Sequence, residues 1–196
     1  MHAMNKQGAL ETFKEYKAFI SRVDRLCDRI YRHYGQHMAC EKGCAGNCCR
    51  IHLSVFPVEA VSFAIGLQKL PRKTAARIRH NARQTGSFGP CPLLEDGACL
   101  LYDCRAVICR THGFPVRTEY RGHRSVGFCL KNFQNLAVIP DDAVIDLARL
   151  NGSLTAVNRC FVSRMAHRFS PGERFTVAQA LLMKVPDFYL VNNDPV

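Results

Sequence analysis

No run of this 196-residue chain approaches the roughly 20 consecutive apolar residues that a bilayer-spanning helix needs. Membrane-integral helices are therefore not expected. The opening Met1-His2-Ala3-Met4-Asn5-Lys6 leads into a charged amphipathic stretch and lacks the uninterrupted apolar core of a secretory signal. A cytoplasmic location is the expectation. The chain shows no internal repeat and no low-complexity tract, and it has no convincing Ser-His-Asp set, P-loop or dinucleotide fingerprint. Acidic residues are scarce: 16 Asp and Glu face 27 Lys and Arg, for a formal net charge of +11. That excess permits a nucleic acid or an acidic protein as partner and demands neither.

What the chain does have is cysteine. There are 11, an odd number, in a chain with 47% hydrophobic residues and room for an ordinary core. Four of them crowd into Cys-Glu-Lys-Gly-Cys-Ala-Gly-Asn-Cys-Cys at 40–49. Cys91, Cys99, Cys104 and Cys109 form a second group, and Cys129 follows alone. In a reducing compartment such clusters point to metal ligation over disulfides, and soft thiolates suit zinc and iron–sulfur centres. Eight thiolates suffice for two four-thiolate sites or one polynuclear cluster. Adjacent residues of an extended chain point apart, so Cys48 and Cys49 more easily serve two metals than one. The paired C-x2-C knuckles of a zinc ribbon are missing, and zinc and iron–sulfur both stay open. Two four-thiolate sites would each carry about −2, which lowers the effective charge to roughly +7.

Apolar spacing predicts a helix from Leu10 to Tyr34, with Phe13, Tyr16, Phe19, Val23 and Ile30 on its stripe and Gly35 as its stop. Leu53 to Phe56 reads as a short extended piece. Pro57 opens a helix to about Leu70, and Pro71 opens another, Arg72 to Gln84, whose Arg72, Lys73, Arg77, Arg79 and Arg83 read as a solvated face. Val116 to Val126 reads as a basic hairpin. Helical spacing returns from Asp141 to about Phe169, with an interruption at Asn151-Gly152-Ser153, and a last helix runs from Phe175 to Val185. Cys27 and Cys160 read as packing residues, and Glu59 as a carboxylate facing a helix N-terminus. The expected architecture is mainly α, a single domain over 1–196. Helical segments at 10–34 and 141–185 flank an irregular, metal-stapled region at 40–129.

The cysteine segments carry a resemblance. The run at 40–49, Cys91-Pro92, Gly97-Ala98-Cys99-Leu100-Leu101-Tyr102 and Arg105-Ala106-Val107-Ile108-Cys109-Arg110 together resemble the YkgJ-like cysteine-cluster family, described as a zinc- or iron-chelating domain with a CxxCxxCC signature. The resemblance implies metal ligation by Cys40, Cys44, Cys48, Cys49, Cys91, Cys99, Cys109 and Cys129, with Cys104 as a substitute eighth ligand. Tyr102, Arg105 and Arg110 match flanking positions. The loop before Cys48 is wider than the signature, Ala106 stands where the family has Pro, and Cys104 is extra. His37 and His112 lie three residues from a cysteine, within reach of a ligating or donating role, and His52 and His123 rank below them. Arg105 and Arg110 read as offsetting thiolate charge.

Three functions follow as expectations. The first is a metal-binding protein holding zinc or an iron–sulfur cluster. The second is an iron–sulfur-dependent modifying enzyme, because flagellin lysine methylases carry a similar cysteine-rich region. The third is a zinc-stapled nucleic-acid binder, suggested by the residual charge and by the basic run at 72–83, which could grip phosphate.

Overall fold

A computed structural model describes residues 6–39, 49–50, 53–85, 89–165 and 168–184 of the chain. Helix α1 (Lys6–Tyr34) forms where the apolar stripe predicts it, and its Phe13, Tyr16, Phe19, Val23, Cys27 and Ile30 are buried. A single 3₁₀ turn, Gly35–His37, ends it. Helix α2 (Pro57–Lys69) follows β1 (Ser54–Val55), and α3 (Arg72–Gln84) follows Pro71. Later come α4 (Val107–Thr111), α5 (Leu147–Ser163) and α6 (Val177–Leu182).

Helix α2 is the hub. The sequence suggests one apolar face, yet residues 57–67 are buried all round except Ser62. One side, Val58, Val61, Ala64 and Ile65, joins a core with α1 and α5, including Phe13, Val23, Ile30, Leu154 and Phe161. The opposite side, Ala60, Phe63 and Leu67, joins a second core with Ala75, Ile78 and Ala82 of α3 and Val177, Ala180 and Leu181 of α6. A helix that is apolar around its whole circumference belongs between two layers. Each fully buried Val, Ile, Leu or Phe in these cores contributes roughly 1.5–3 kcal/mol.

Helices dominate, but the expectation of a mainly α chain needs small sheets added to it. Strand β1 pairs antiparallel with β7 (Phe175–Thr176). Strands β2 (Leu94–Glu95) and β3 (Ala98–Cys99) form a hairpin through Asp96-Gly97, both at positive φ (48° and 76°), the backbone a tight primed turn requires. The basic hairpin is present as β4 (Val116–Tyr120) and β5 (His123–Gly127), turning at Arg121-Gly122, with β6 (Ile145–Asp146) parallel to β4 in the order β5-β4-β6.

The 141–185 segment departs most from expectation. Asp141–Ala143 is one 3₁₀ turn, and the Ile145 N–H is drawn into the sheet by Pro115 O at 2.8 Å. The helix therefore starts at Leu147, where Asp146 Oδ1 accepts the Arg149 N–H at 3.0 Å. Asn151-Gly152-Ser153 do not interrupt it; they face solvent on a continuous helix that ends at Ser163 instead of Phe169. The last helix loses Phe175 and Thr176 to pairing with β1, and Thr176 and Gln179 then form its capping box. Val185 lies outside the described residues.

Candidate metal centre

Of the expected ligands, Cys40, Cys44 and Cys48 lie outside the described residues, as does His52. The rest come from separate elements. The Cys91 N–H donates to Cys49 O at 2.7 Å, which joins the end of the first cysteine run to the start of the second. The β2–β3 turn then folds the chain back, with the Leu94 N–H on Cys91 O and the Leu100 N–H on Leu93 O, so that Cys99 returns toward Cys91. Cys109 is presented by α4.

These four thiols act on one another electrostatically. A hydrogen bond links Cys49 and Cys91; it lowers the Cys49 thiol to about 7 and, with burial, drives Cys91 upward. Burial first, then the Cys99 and Cys49 charges, push Cys109 up to about 12. Burial likewise raises Cys99, with Cys49 and Cys104 adding to it and Arg105 opposing. Arg105 favours the thiolates of Cys49, Cys99 and Cys109, in line with an offsetting role. Its guanidinium lies 3.4 Å from the Tyr102 ring centroid, and its Nε donates to Tyr102 O. Among the described residues no three Cys, His, Asp or Glu side chains gather closely enough to hold one ion. In metal-free protein Cys49, whose thiol is lowered while the others are raised, is expected to alkylate faster than Cys91, Cys99, Cys104 or Cys109. Peptide mapping after brief iodoacetamide treatment checks this; equal labelling of the five would contradict the Cys49–Cys91 pairing.

Cys104 and Cys129 occupy different places. Cys104 is half-buried against α2, where a Cβ added at Gly66 would meet its Sγ at 2.5 Å and its Cβ at 3.1 Å. Glycine lets the two backbones approach. Gly66→Ala ordinarily favours a helix by about 1 kcal/mol; here it is expected to destabilise by about 1–3 kcal/mol, and Cys104→Ala in the same chain should recover part of that loss. Urea unfolding of the two variants measures it, and a stabilised Gly66→Ala would refute the close approach. Cys129 is placed by its N–H on Gly113 O at 3.4 Å and its C=O under the Asn132 N–H at 2.8 Å.

Several flanking residues hold these segments. Arg110 Nη1 donates to both carboxylate oxygens of Asp24 on α1 at 2.6 and 2.7 Å, and its other nitrogens donate to Arg105 O and Asp103 O. Arg110 is thus a strut between α1 and the cysteine loop, and its charge also favours the Cys104 thiolate. Glu59 is 3% exposed, and burial raises its carboxyl. Oε2 accepts the Phe56 N–H at 3.0 Å and Oε1 accepts the Val107 N–H at 3.0 Å. It caps its own helix and also the first turn of α4, so both oxygens are committed.

His37 stacks on Phe133, its ring Nε2 lies 3.2 Å from Gln36 Nε2, and its carbonyl accepts the Phe133 N–H. His112 closes α4 and His123 is exposed in β5. Cys27 is buried with its thiol pushed up to about 12, chiefly by desolvation, as a packing residue should be. Cys160 is exposed on α5, so the packing role expected of it is not found. On α3, Arg72, Lys73, Arg77 and Arg83 face solvent while Ala75, Ile78 and Ala82 face the core.

Two buried asparagines escape a reading of the sequence. Asn132 Oδ1 accepts the Ala39 N–H at 2.9 Å and its Nδ2 donates to Gly113 O at 2.8 Å, clamping the residue before Cys40 to the end of the second cysteine group. Asn158 Oδ1 accepts the Val58 N–H and its Nδ2 donates to Pro171 O, tying α5 to the start of α2. A cleft of about 310 Å³ opens on the side of α4 that carries Val107, Ile108 and Thr111, with Leu53, Phe56, Leu150, Leu154 and Arg174 around it. Arg174 lies 4.0 Å from the Phe56 ring centroid and donates to Ser54 O and Oγ.

No family model, curated protein or solved structure matches the chain. No helix among the described residues is long and apolar enough to cross a membrane.

Proposed function

We propose that this is a metal-binding protein whose thiolates hold zinc or an iron–sulfur cluster. The observation that carries the reading is that a loop, a hairpin and a helix converge: the Cys91 N–H on Cys49 O joins the two cysteine runs, and Cys91, Cys99 and Cys109 pack against one core. The donor chemistry fits: the thiols are soft donors, and the Arg105 guanidinium favours the ionised forms of Cys49, Cys99 and Cys109. Cys49, Cys91, Cys99 and Cys109, with Cys40, Cys44, Cys48 and either Cys129 or Cys104, are the ligands the resemblance to the YkgJ-like family suggests. Zinc would staple the irregular middle, and an iron–sulfur cluster would add electron transfer.

Arg105 would offset the charge of the bound thiolates. Glu59, through the Val107 N–H, would hold the helix that presents Cys109. Because Cys91, Cys99 and Cys109 are raised as thiols, loading would release protons and weaken as pH falls.

The second reading, an iron–sulfur-dependent modifying enzyme, is favoured by the cleft. Helix α4 has Cys109 in the linked thiol set while Val107, Ile108 and Thr111 line the cleft.

Elemental and acid-labile sulfide analysis of anaerobically purified protein tests the main proposal. Tightly held zinc, or iron with matching sulfide, is expected in the wild type. Cys91→Ser and Cys109→Ser are each expected to lose at least half of it. Metal-free wild-type protein, or unchanged metal in both variants, would overturn the assignment.

A further inference from the structure

Arg22, Arg25, Arg29 and Arg32 of α1 recur at steps of three, four and three, and all four are exposed. At about 100° per residue they fall within roughly 80° of arc, over about 15 Å of helix. That arc lies opposite the stripe of Phe19, Val23, Cys27 and Ile30, which faces the core. Elsewhere on the surface, Lys14, Arg77, Arg117 and Arg124 each meet a carboxylate, of Glu11, Glu95, Asp141 and Glu119. None of the four arginines has a carboxylate partner among the described residues. The carboxylates of this half of the helix do not supply one. Asp24 is engaged by Arg110, and Arg32 Nε donates to the backbone carbonyl of Asp28. The row contains three like-charge pairs at i,i+3 or i,i+4, each unfavourable to an isolated helix. The helix macrodipole favours Arg32 and His33 in the last turn, but it does not reach Arg22 or Arg25.

We propose that this arginine face binds the phosphate backbone of duplex nucleic acid. Guanidinium forks match phosphate bidentately, and backbone contact needs no other group. An acidic protein would be expected to find an aromatic or aliphatic anchor within the row; no other residue between Arg22 and Arg32 falls on this arc, and Ala18, which extends it by one turn, is small. Without an aromatic on the row there is no platform for stacking unpaired bases, so a duplex is the fitting form. Binding of this kind is independent of base sequence, and the proposal does not rest on the metal reading.

The test is fluorescence anisotropy of the full-length, as-isolated protein with short labelled DNA and RNA duplexes across a salt series. Affinity is expected to fall linearly on a logarithmic salt scale. The slope should shrink by about 0.9 for each arginine replaced by glutamine on B-DNA. The fourfold variant R22Q/R25Q/R29Q/R32Q should bind at least about 100-fold more weakly at low salt. R72Q/K73Q/R79Q/R83Q, which removes the same charge from α3, should keep most of the affinity. Circular dichroism and metal content of the same samples separate loss of the face from loss of the fold or of the centre. Absent wild-type binding, equal loss in the two fourfold variants, or tighter capture of polyglutamate than of duplex would each overturn the proposal.

Discussion

Glu59→Ala is expected to destabilise the protein by about 2–5 kcal/mol, because two N–H donors lose their acceptor together at roughly 1–3 kcal/mol each. One is the Phe56 N–H at the entry to α2; the other is the Val107 N–H, buried at the first turn of α4. Ala106 offers α4 no side-chain cap of its own, so nothing local replaces the carboxylate. The effect should reach the cysteines. In the metal-free variant Cys109 is expected to alkylate faster, since its burial depends on α4 lying against α2. Glu59→Gln keeps one acceptor and should lose less. The pH dependence has a definite sign. Burial raises the folded-state carboxyl above its ordinary value of 4.5, so the folded chain binds that proton more tightly than the unfolded chain. Wild-type stability relative to Glu59→Gln should therefore increase as pH falls through the raised value, and level off below 4.5. Urea unfolding at several pH values measures both effects. A Glu59→Ala variant within about 0.5 kcal/mol of wild type would remove the bridging role.

Asn132→Ala should be nearly as severe, at about 2–4 kcal/mol, because a fully buried amide loses one accepted and one donated hydrogen bond. The freed groups are the Ala39 N–H and Gly113 O, on the approaches to the two cysteine groups. Asn132→Asp should be no better, since it sets a carboxylate oxygen against the Gly113 carbonyl. Hydrogen exchange locates the effect: the Ala39 amide should lose protection before the α1 core does. An Ala39 amide that exchanges as slowly in Asn132→Ala as in wild type would show that the clamp is not what holds this approach. If ligation depends on these approaches, metal content should fall in Asn132→Ala, while the thiols of Cys49 and Cys91 remain paired.

Both residues show why the sequence stops where it does. Helices α1, α2 and α3 are legible because each is bounded by local signals, Gly35, Pro57 and Pro71, and filled by a periodic apolar pattern. The basic hairpin is legible for the same reason. From Asp141 onward the same periodicity misleads: Val144 and Leu147 stand at helical spacing, yet the Pro115 carbonyl, just before β4, takes the Ile145 N–H into the sheet. Phe175 and Thr176 are taken from the last helix by Ser54 and Val55 in the same way. Pairing across 30 residues in the first case and more than a hundred in the second leaves no mark on a local window.

The candidate centre divides along the same line. Cysteine spacing by itself marks two groups, Cys40 to Cys49 and Cys91 to Cys109, as candidates for a common task; only the structure joins the end of the first to the start of the second, through the Cys91 N–H on Cys49 O. Sequence also fixes the basic balance of the chain and the arginine row of α1, which follow from residue count and helical geometry alone. Only the tertiary structure decides that Arg110 is a strut to Asp24, that Glu59 caps a helix 48 residues away, and that Cys104 rests against Gly66. The physical reason is common to all three. A buried polar group must find its partner in space, and the fold, not the neighbouring sequence, determines which partner is within reach.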